Sequence, residues 1–376
     1  MSLDLYRTLV RPALFRLDAE TAHHGTVQAC RLAGHVPILP ALADRYLRFT
    51  DPCLEVEAAG IRFSNPVGLG AGWDKSGVAL RMLDHLGFGF VEIGSVSARP
   101  SIGNPKPRLF RLPNDEAIVV NYGLPNDGAE AVRERLRCNP MSTPIGVNVV
   151  KTNDGFEAQT CREEDVLNDY RESVSLLHDH ASYITLNLSC PNTGDGSDYF
   201  SPPDRLRRLL ESLADLELQC PVFLKLTPTS DVARLDGWLS AIDPFPFVRG
   251  LMLNLPPGKP PAAALQTPHA VWERMPGAVA GRPVQRTLDR CLGELHRRMP
   301  PARFILIGSG GIFSASDAYR KIRLGASLVQ IYTALVYRGP RVVRQINQGL
   351  VELLQRDGLT HLNEAVGTLP PSEWDA

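Results

Sequence analysis

Tyr183-Ile184-Thr185-Leu186-Asn187-Leu188-Ser189-Cys190-Pro191-Asn192-Thr193 is a short, largely apolar run that ends in polar and nucleophilic side chains and opens into Gly194-Asp195-Gly196. The pattern is that of a strand stopped by a proline and followed by a loop. Chemistry placed at a strand end has a rigid scaffold behind it and solvent in front. Taken alone, the segment is better read as a strand followed by a polar turn with a half-buried cysteine than as a site. Seven other stretches of the same form decide between these readings.

Short apolar runs at 66–70, 90–96, 145–150, 222–226, 250–255, 304–307 and 328–332 share that form. They lack the in/out alternation of half-exposed strands, as strands covered on both faces should. Helical patterns at 78–86, 129–137, 163–178, 204–216, 232–241, 283–298, 315–324 and 341–355 follow them. Eight strand–helix units in about 290 residues predict an α/β fold, a (β/α)8 TIM barrel, rather than an open sheet. The G-x-G-x-x-G fingerprint of a dinucleotide-binding sheet is absent. A small hairpin at 53–63 is placed to plug the barrel bottom.

Residues 1–48 have a different texture from the barrel region, 49–376. Leu5, Tyr6, Leu9, Val10, Ala13 and Leu14 recur at helical spacing with Arg7, Arg11 and Arg16 between them, and a second helix at 19–32 enters through Asp18. A proline-bearing stretch, 37–40, follows. The arm reads either as helices packed on the barrel or as an interfacial element that dips apolar side chains into lipid and frames a tunnel for a lipid-soluble partner.

Composition narrows the function. The chain has 376 residues, 44% of them hydrophobic and 22% charged, with a formal net charge of -1 and no block of basic residues. That excludes a nucleic-acid footprint. Its seven cysteines are scattered, with neither C-x-x-C nor histidines at ligand spacing, which predicts a reducing compartment and no metal site. With no signal peptide and no apolar run approaching about 18 residues, a cytoplasmic protein is expected, at most laid on the inner face of the cell membrane.

In such a barrel the strand C-termini build the active site. They carry Ala71-Gly72-Trp73-Asp74-Lys75, Gly94-Ser95, Asn148 and Lys151, Asn187, Cys190 and Asn192, Lys225, Asn254, Gly308-Ser309-Gly310-Gly311, and Tyr332-Thr333. Bare glycine amides after the seventh strand, with a hydroxyl after the eighth, suit a phosphate and so imply a phosphate-bearing cofactor. Lys75 and Lys225 at two strand ends, among amides rather than carboxylates, suit a partner that develops negative charge. A reduced isoalloxazine ring is such a partner.

These residues resemble the dihydroorotate dehydrogenase family across nearly the whole chain. The motifs are Gly70-Ala71-Gly72-Trp73-Asp74-Lys75-Ser76-Gly77, Glu92-Ile93-Gly94-Ser95-Val96, Pro105-Lys106-Pro107-Arg108-Leu109-Phe110-Arg111, Asn187-Leu188-Ser189-Cys190-Pro191-Asn192-Thr193, Ser309-Gly310-Gly311-Ile312 and Leu328-Val329-Gln330-Ile331-Tyr332. The arm, with Arg11-Pro12-Ala13-Leu14-Phe15 and Ala22-His23, is similar to that of the membrane-associated, quinone-linked class 2 enzymes. The resemblance implies an FMN enzyme in which a substrate C–H next to a carbonyl is deprotonated while a hydride passes to flavin N5, a quinone then reoxidising the flavin.

By position it implies that Ala71, Gly72, Lys75, Ser95, Asn148, Asn187, Lys225, Asn254, Gly281, Gly310, Gly311, Tyr332 and Thr333 hold FMN. Lys75, Asn121, Tyr122, Gly123, Leu124, Asn187, Asn192 and Asn254 would hold substrate, with Cys190 as acid/base and Lys75 beside it. Cys190 stands where quinone-linked members usually have serine, and a partly ionised thiol can serve as base. The two family asparagines that bind the orotate ring fall on Val120 and Leu255, with Asn121 and Asn254 one place away. Each hydrogen bond left unmade would cost about 1–3 kcal/mol. The expectation is therefore an FMN oxidoreductase acting on a carbonyl-containing substrate other than dihydroorotate. An authentic quinone-dependent dihydroorotate dehydrogenase and a non-catalytic flavin-binding barrel are the alternatives.

Overall fold

A computed structural model describes residues 4–155, 162–189, 199–300 and 302–374. A π-helical turn, Tyr6–Val10, runs into α1 (Arg11–Phe15), followed by α2 (Ala19–Ala33) and α3 (Ile38–Leu47). The hairpin β1 (Val56–Ala58) and β2 (Ile61–Phe63) precedes the barrel. Then come β3 (Val67–Leu69), α4 (Leu80–Leu83), β4 (Phe90–Val96), β5 (Leu109–Leu112), β6 (Ala117–Val120), α5 (Ala129–Cys138), β7 (Ile145–Val149) and α6 (Glu163–Leu177). The chain continues through β8 (Tyr183–Asn187), α7 (Pro203–Leu213), β9 (Val222–Leu226), α8 (Val232–Ile242), β10 (Val248–Leu253), α9 (His269–Trp272) and β11 (Ala278–Gly281). It ends with α10 (Gln285–Arg298), β12 (Ile305–Ser309), α11 (Ala315–Arg323), β13 (Leu328–Ile331), α12 (Thr333–Arg338) and α13 (Arg341–Arg356).

Strands β3, β4, β7, β8, β9, β10, β12 and β13 close into a parallel barrel in that order, so every expected strand takes its place in a TIM barrel. Its lower interior is set by a pairing of the smallest residue with the largest. Gly68 is in register with Phe90, Gly146 with Tyr183, and Gly250 with Phe223. A β-carbon at any of these glycines would stand inside the facing ring. The rings pack on one another, Tyr183 stacking on Phe223 at 4.5 Å, and Phe63 of the hairpin closes the floor edge-on to Phe90 at 5.5 Å. With a period of two, the residues above this layer on the inward face are Glu92, Asn148, Thr185 and Lys225. A hydrophobic floor therefore carries a polar layer.

Three features depart from the sequence expectation. The 37–40 stretch is helical: α3 starts at Ile38, with Pro37 as its cap and Pro40 in the first turn, where a missing N–H costs nothing. Helix α4 is shorter than 78–86 because the Asp74 carboxylate takes the N–H groups of Ser76, Val78 and Ala79. Third, β5, β6 and β11 form a separate antiparallel sheet, with β6 in the middle. Asp115 fastens it to the 262–272 excursion by accepting from the backbone of Gln266 and Thr267 and from the Thr267 hydroxyl.

The arm is seated by specific bonds. Asp18 caps α2 through Thr21 N–H at 2.9 Å. Glu20 and Arg108, both buried, pair at 2.9 Å, and Tyr6 donates to the Val336 carbonyl at 2.7 Å. Among the described residues, ten of the thirteen exposed large hydrophobic side chains lie between Leu5 and Tyr46, so the arm's surface is unlike the rest. No helix among the described residues is long and apolar enough to cross a membrane.

The glycine–ring registers predict that Gly146→Ala loses about 1–3 kcal/mol through overpacking against Tyr183. Urea unfolding of the two proteins checks this; a loss below about 0.5 kcal/mol would mean that the ring layer is loosely packed.

Candidate active site

A cleft of about 840 Å3 opens at the C-terminal end of the barrel strands. Gly70, Ala71 and Gly72 lie along one side, and Lys225, Leu253, Asn254 and Leu255 along another. Gly310, Gly311, Tyr332 and Thr333 form one end, and β6 and β11 bring in Ile118, Val120, Ala280 and Gly281. Gly281, Gly310 and Gly311 all have positive φ, and a β-carbon on them would strike the Glu116 carbonyl, Leu288 and Gln285 respectively. The backbone there is pressed against its support, with no side chain on these three residues. Together with Thr333, which opens α12, this end suits an anionic group, while Ile118, Val120 and Leu255 make an apolar wall.

Behind the cleft the polar layer is wired together. Ser95 donates to Asn148 Oδ1, Asn187 Nδ2 donates to Ser95 Oγ at 3.1 Å, and Asn254 Nδ2 donates to Asn187 Oδ1 at 3.2 Å. Ser189 donates to the Lys225 carbonyl at 3.0 Å, and buried Tyr170 donates to the Asn187 carbonyl at 2.7 Å. Ser95, Asn148 and Asn187 thus stand one layer behind the residues that line the cleft.

Lys75 occupies a separate position. Its Nζ lies 2.9 Å from His23 Nε2 of the arm and 4.0 Å from the centre of the Tyr122 ring. Burial pulls its ammonium down to about 7, with Glu20 opposing, Arg108 assisting and Asp74 opposing. Burial likewise pushes His23 well below the ordinary imidazole value, and Lys75 adds to that. The Tyr122 hydroxyl is buried and has no hydrogen-bond partner among the described residues. His23 is a site residue that sequence reasoning misses; its only signal there is its place in the arm motif Ala22-His23.

Strand alternation shows which way the side chains point at the two positions where the resemblance expects asparagines. Ile118, Val120 and Tyr122 face the cleft, whereas Asn121 points the other way and its Oδ1 accepts from Asn104 Nδ2 at 3.2 Å. Gly123 and Leu124, the latter with φ +63°, are not among the cleft-lining residues. Leu255 faces the cleft. Asn254 lines it too, but spends its amide on Asn187, on the Ser189 carbonyl at 2.9 Å and on the Leu255 N–H. Cys190 and Asn192 lie outside the described residues.

A second cavity, of about 1420 Å3, lies between the arm and the barrel, lined by Leu14, Phe15, Ala22, His23, Gly25, Cys30, Trp73 and Leu335 among others. Ile118 and Tyr332 line both cavities.

The sequence model of a family described as "Dihydroorotate dehydrogenase" matches residues 53–354. The chain belongs to this family. Curated relatives agree over nearly the whole length. The "Dihydroorotate dehydrogenase (quinone)" of Deinococcus deserti is 38% identical over 377 residues, covering 96% of this chain and 99% of that one. The protein of the same name from Haloarcula marismortui is 36% identical over 359 residues, covering 96% and 98%. Among solved structures, the enzyme of Eimeria tenella in complex with ferulenol superposes with a TM-score of 0.78 at 29% identity, covering 93% and 95%. The chain is therefore an FMN-dependent oxidoreductase of the class acting on CH–CH bonds. The cleft fits that cofactor: it has bare amides at one end, an apolar wall and a lysine among amides.

For the cofactor-free protein, the depressed Lys75 value has a definite sign. Between about 7 and 10.5 the unfolded chain holds a proton on this residue that the folded chain does not. Its contribution to stability therefore rises with pH across that window, and below about 7 the buried ammonium is a full burden. Lys75→Met should flatten this part of the profile. Thermal melts of both proteins across the window check it, and parallel curves would contradict it.

Proposed function

We propose that the protein oxidises dihydroorotate at the cleft and passes the electrons to a quinone held in the arm cavity. The observation that carries this reading is the meeting of the two cavities at Ile118 and Tyr332, in a chain whose full-length relatives are named as quinone-linked dihydroorotate dehydrogenases. FMN, when bound, supplies the two-electron acceptor.

The chain's own groups have distinct tasks. The amides of Gly281, Gly310 and Gly311 and the Thr333 hydroxyl hold the phosphate. Ala71, Gly72, Asn254 and Tyr332 frame the ring, Ser95, Asn148 and Asn187 brace that frame from behind without touching the cofactor, and Lys225 offsets the negative charge that reduction places on the ring. Lys75, Tyr122, Asn187 and Asn192 hold the substrate, Lys75 as a cation whose charge a carboxylate would restore. Cys190, as thiolate, takes the substrate proton. The exposed apolar side chains of the arm, with Arg7, Arg16, Arg31 and Arg45 among them, suit docking on an anionic lipid surface, from which a quinone enters the cavity.

A second reading keeps the flavin chemistry but changes the substrate. Val120 and Leu255 favour it, since they give the cleft an apolar wall where the family places amides. Anaerobic mixing with L-dihydroorotate separates the two. The first reading predicts that the flavin absorbance bleaches, and that Cys190→Ala keeps the flavin spectrum while slowing bleaching about 10²-fold or more. Bleaching by other cyclic amides, lactones or enones, but not by dihydroorotate, would establish the second.

A further inference from the structure

Glu92 is fully buried at the middle of β4, yet it bonds to side chains from three other strands. Its Oε1 accepts from Asn148 Nδ2 at 2.9 Å. Its Oε2 accepts from Thr185 Oγ1 at 3.0 Å, from Gln330 Nε2 at 3.0 Å and from the Tyr183 hydroxyl at 3.3 Å. Strands β8 and β13 are not neighbours of β4, so only the barrel interior brings these groups together.

The pattern is more specific than a satisfied buried charge. Two amide groups, those of Asn148 and Gln330, both turn their nitrogens toward Glu92. That requires an acceptor oxygen for each, which a carboxylate has and an amide has not. With both nitrogens inward, both carbonyl oxygens face outward. Asn148 Oδ1 then accepts from Ser95, whose oxygen is left to accept from Asn187 Nδ2, whose Oδ1 is left to accept from Asn254 Nδ2. At the far end, Asn254 is pinned by backbone: its Oδ1 accepts from Leu255 N–H at 2.9 Å and its Nδ2 donates to the Ser189 carbonyl at 2.9 Å. A reversal at the Glu92 end therefore cannot run out through the chain. It leaves a mismatch inside it.

We propose that Glu92 is a positioning residue for the flavin site: it fixes the orientation of the Asn148 and Gln330 amides, and through them the donor and acceptor pattern that the cleft presents to FMN. The proposal rests on the FMN reading of the cleft, and it assigns Glu92 no contact with cofactor or substrate.

A double-substitution cycle read by FMN titration of the apoprotein tests it. Glu92→Gln offers one oxygen and one nitrogen, so either Asn148 or Gln330 must turn over. FMN affinity should fall about tenfold or more, the scale of one buried polar group left unpaired. Asn148→Asp alone sets two carboxylates face to face and should fall at least as far. In the double variant, the introduced glutamine donates to the introduced aspartate and still accepts from Gln330, so affinity and the absorption spectrum of the bound flavin should return to within a few-fold of the parent. Additive losses in the double variant would overturn the proposal, as would parent-like affinity in Glu92→Gln. If Glu92→Gln does not fold, the comparison of Asn148→Asp with the double variant decides alone, since a double variant no better than Asn148→Asp overturns it. A parent that binds no FMN would instead reject the cofactor reading beneath it.

Discussion

The close approach of Gly68, Gly146 and Gly250 to the rings of Phe90, Tyr183 and Phe223 is the constraint on which the rest of the barrel depends. Each pair spans two hydrogen-bonded strands at a single register, so a slip of one residue would turn a ring into the helical layer and a β-carbon into the core. The rings occupy the lower interior and leave the upper interior to other groups. The next inward positions are therefore polar. They meet the cost of burial by bonding to one another rather than to water, as Glu92, Asn148, Thr185 and Gln330 do.

The same layering explains which parts of the molecule could be read in the sequence. Barrel strands were legible because each is a brief apolar run that ends in glycine or polar residues, and family motifs lie at most of those ends. The β5–β6–β11 sheet was not, because its strands have four residues each and β11 joins from some 160 residues away. Helix α3 was hidden by two prolines that a first turn tolerates. The glycines and lysines of the site were recognisable one at a time. What Asn121 and Asn254 do was not, since it depends on the side of the strand each faces and on partners, Asn104 and Ser189, that only folding supplies. Glu92 was visible as part of a motif, but a carboxylate in an apolar strand announces only that partners must exist.

Charge is distributed with similar economy. Among the described residues the cleft lining holds no carboxylate and includes Lys225, while Lys75 is held back near the arm with its ammonium weakened by burial. The arm supplies His23 to Lys75 and Glu20 to Arg108. Arm and barrel thus share polar contacts as well as an apolar cavity. Tyr332 forms part of both walls, beside Ile118, and stacks with His23 at 6.4 Å.

The route from cleft to arm cavity is the central claim, and Gly25 offers direct access to it. Gly25 lines the arm cavity from α2, and a β-carbon there meets nothing within 4 Å, so Gly25→Phe adds a ring at the cavity lining without a clash at its β-carbon. The decisive measurement is stopped-flow reoxidation of the pre-reduced protein by a hydrophobic quinone. If electrons leave through the arm cavity, Gly25→Phe slows quinone reoxidation about tenfold or more, the scale of about 1.4 kcal/mol on the barrier, while substrate-driven reduction keeps the parent rate. Reoxidation as fast as in the parent, in a variant that binds FMN normally, would contradict the account.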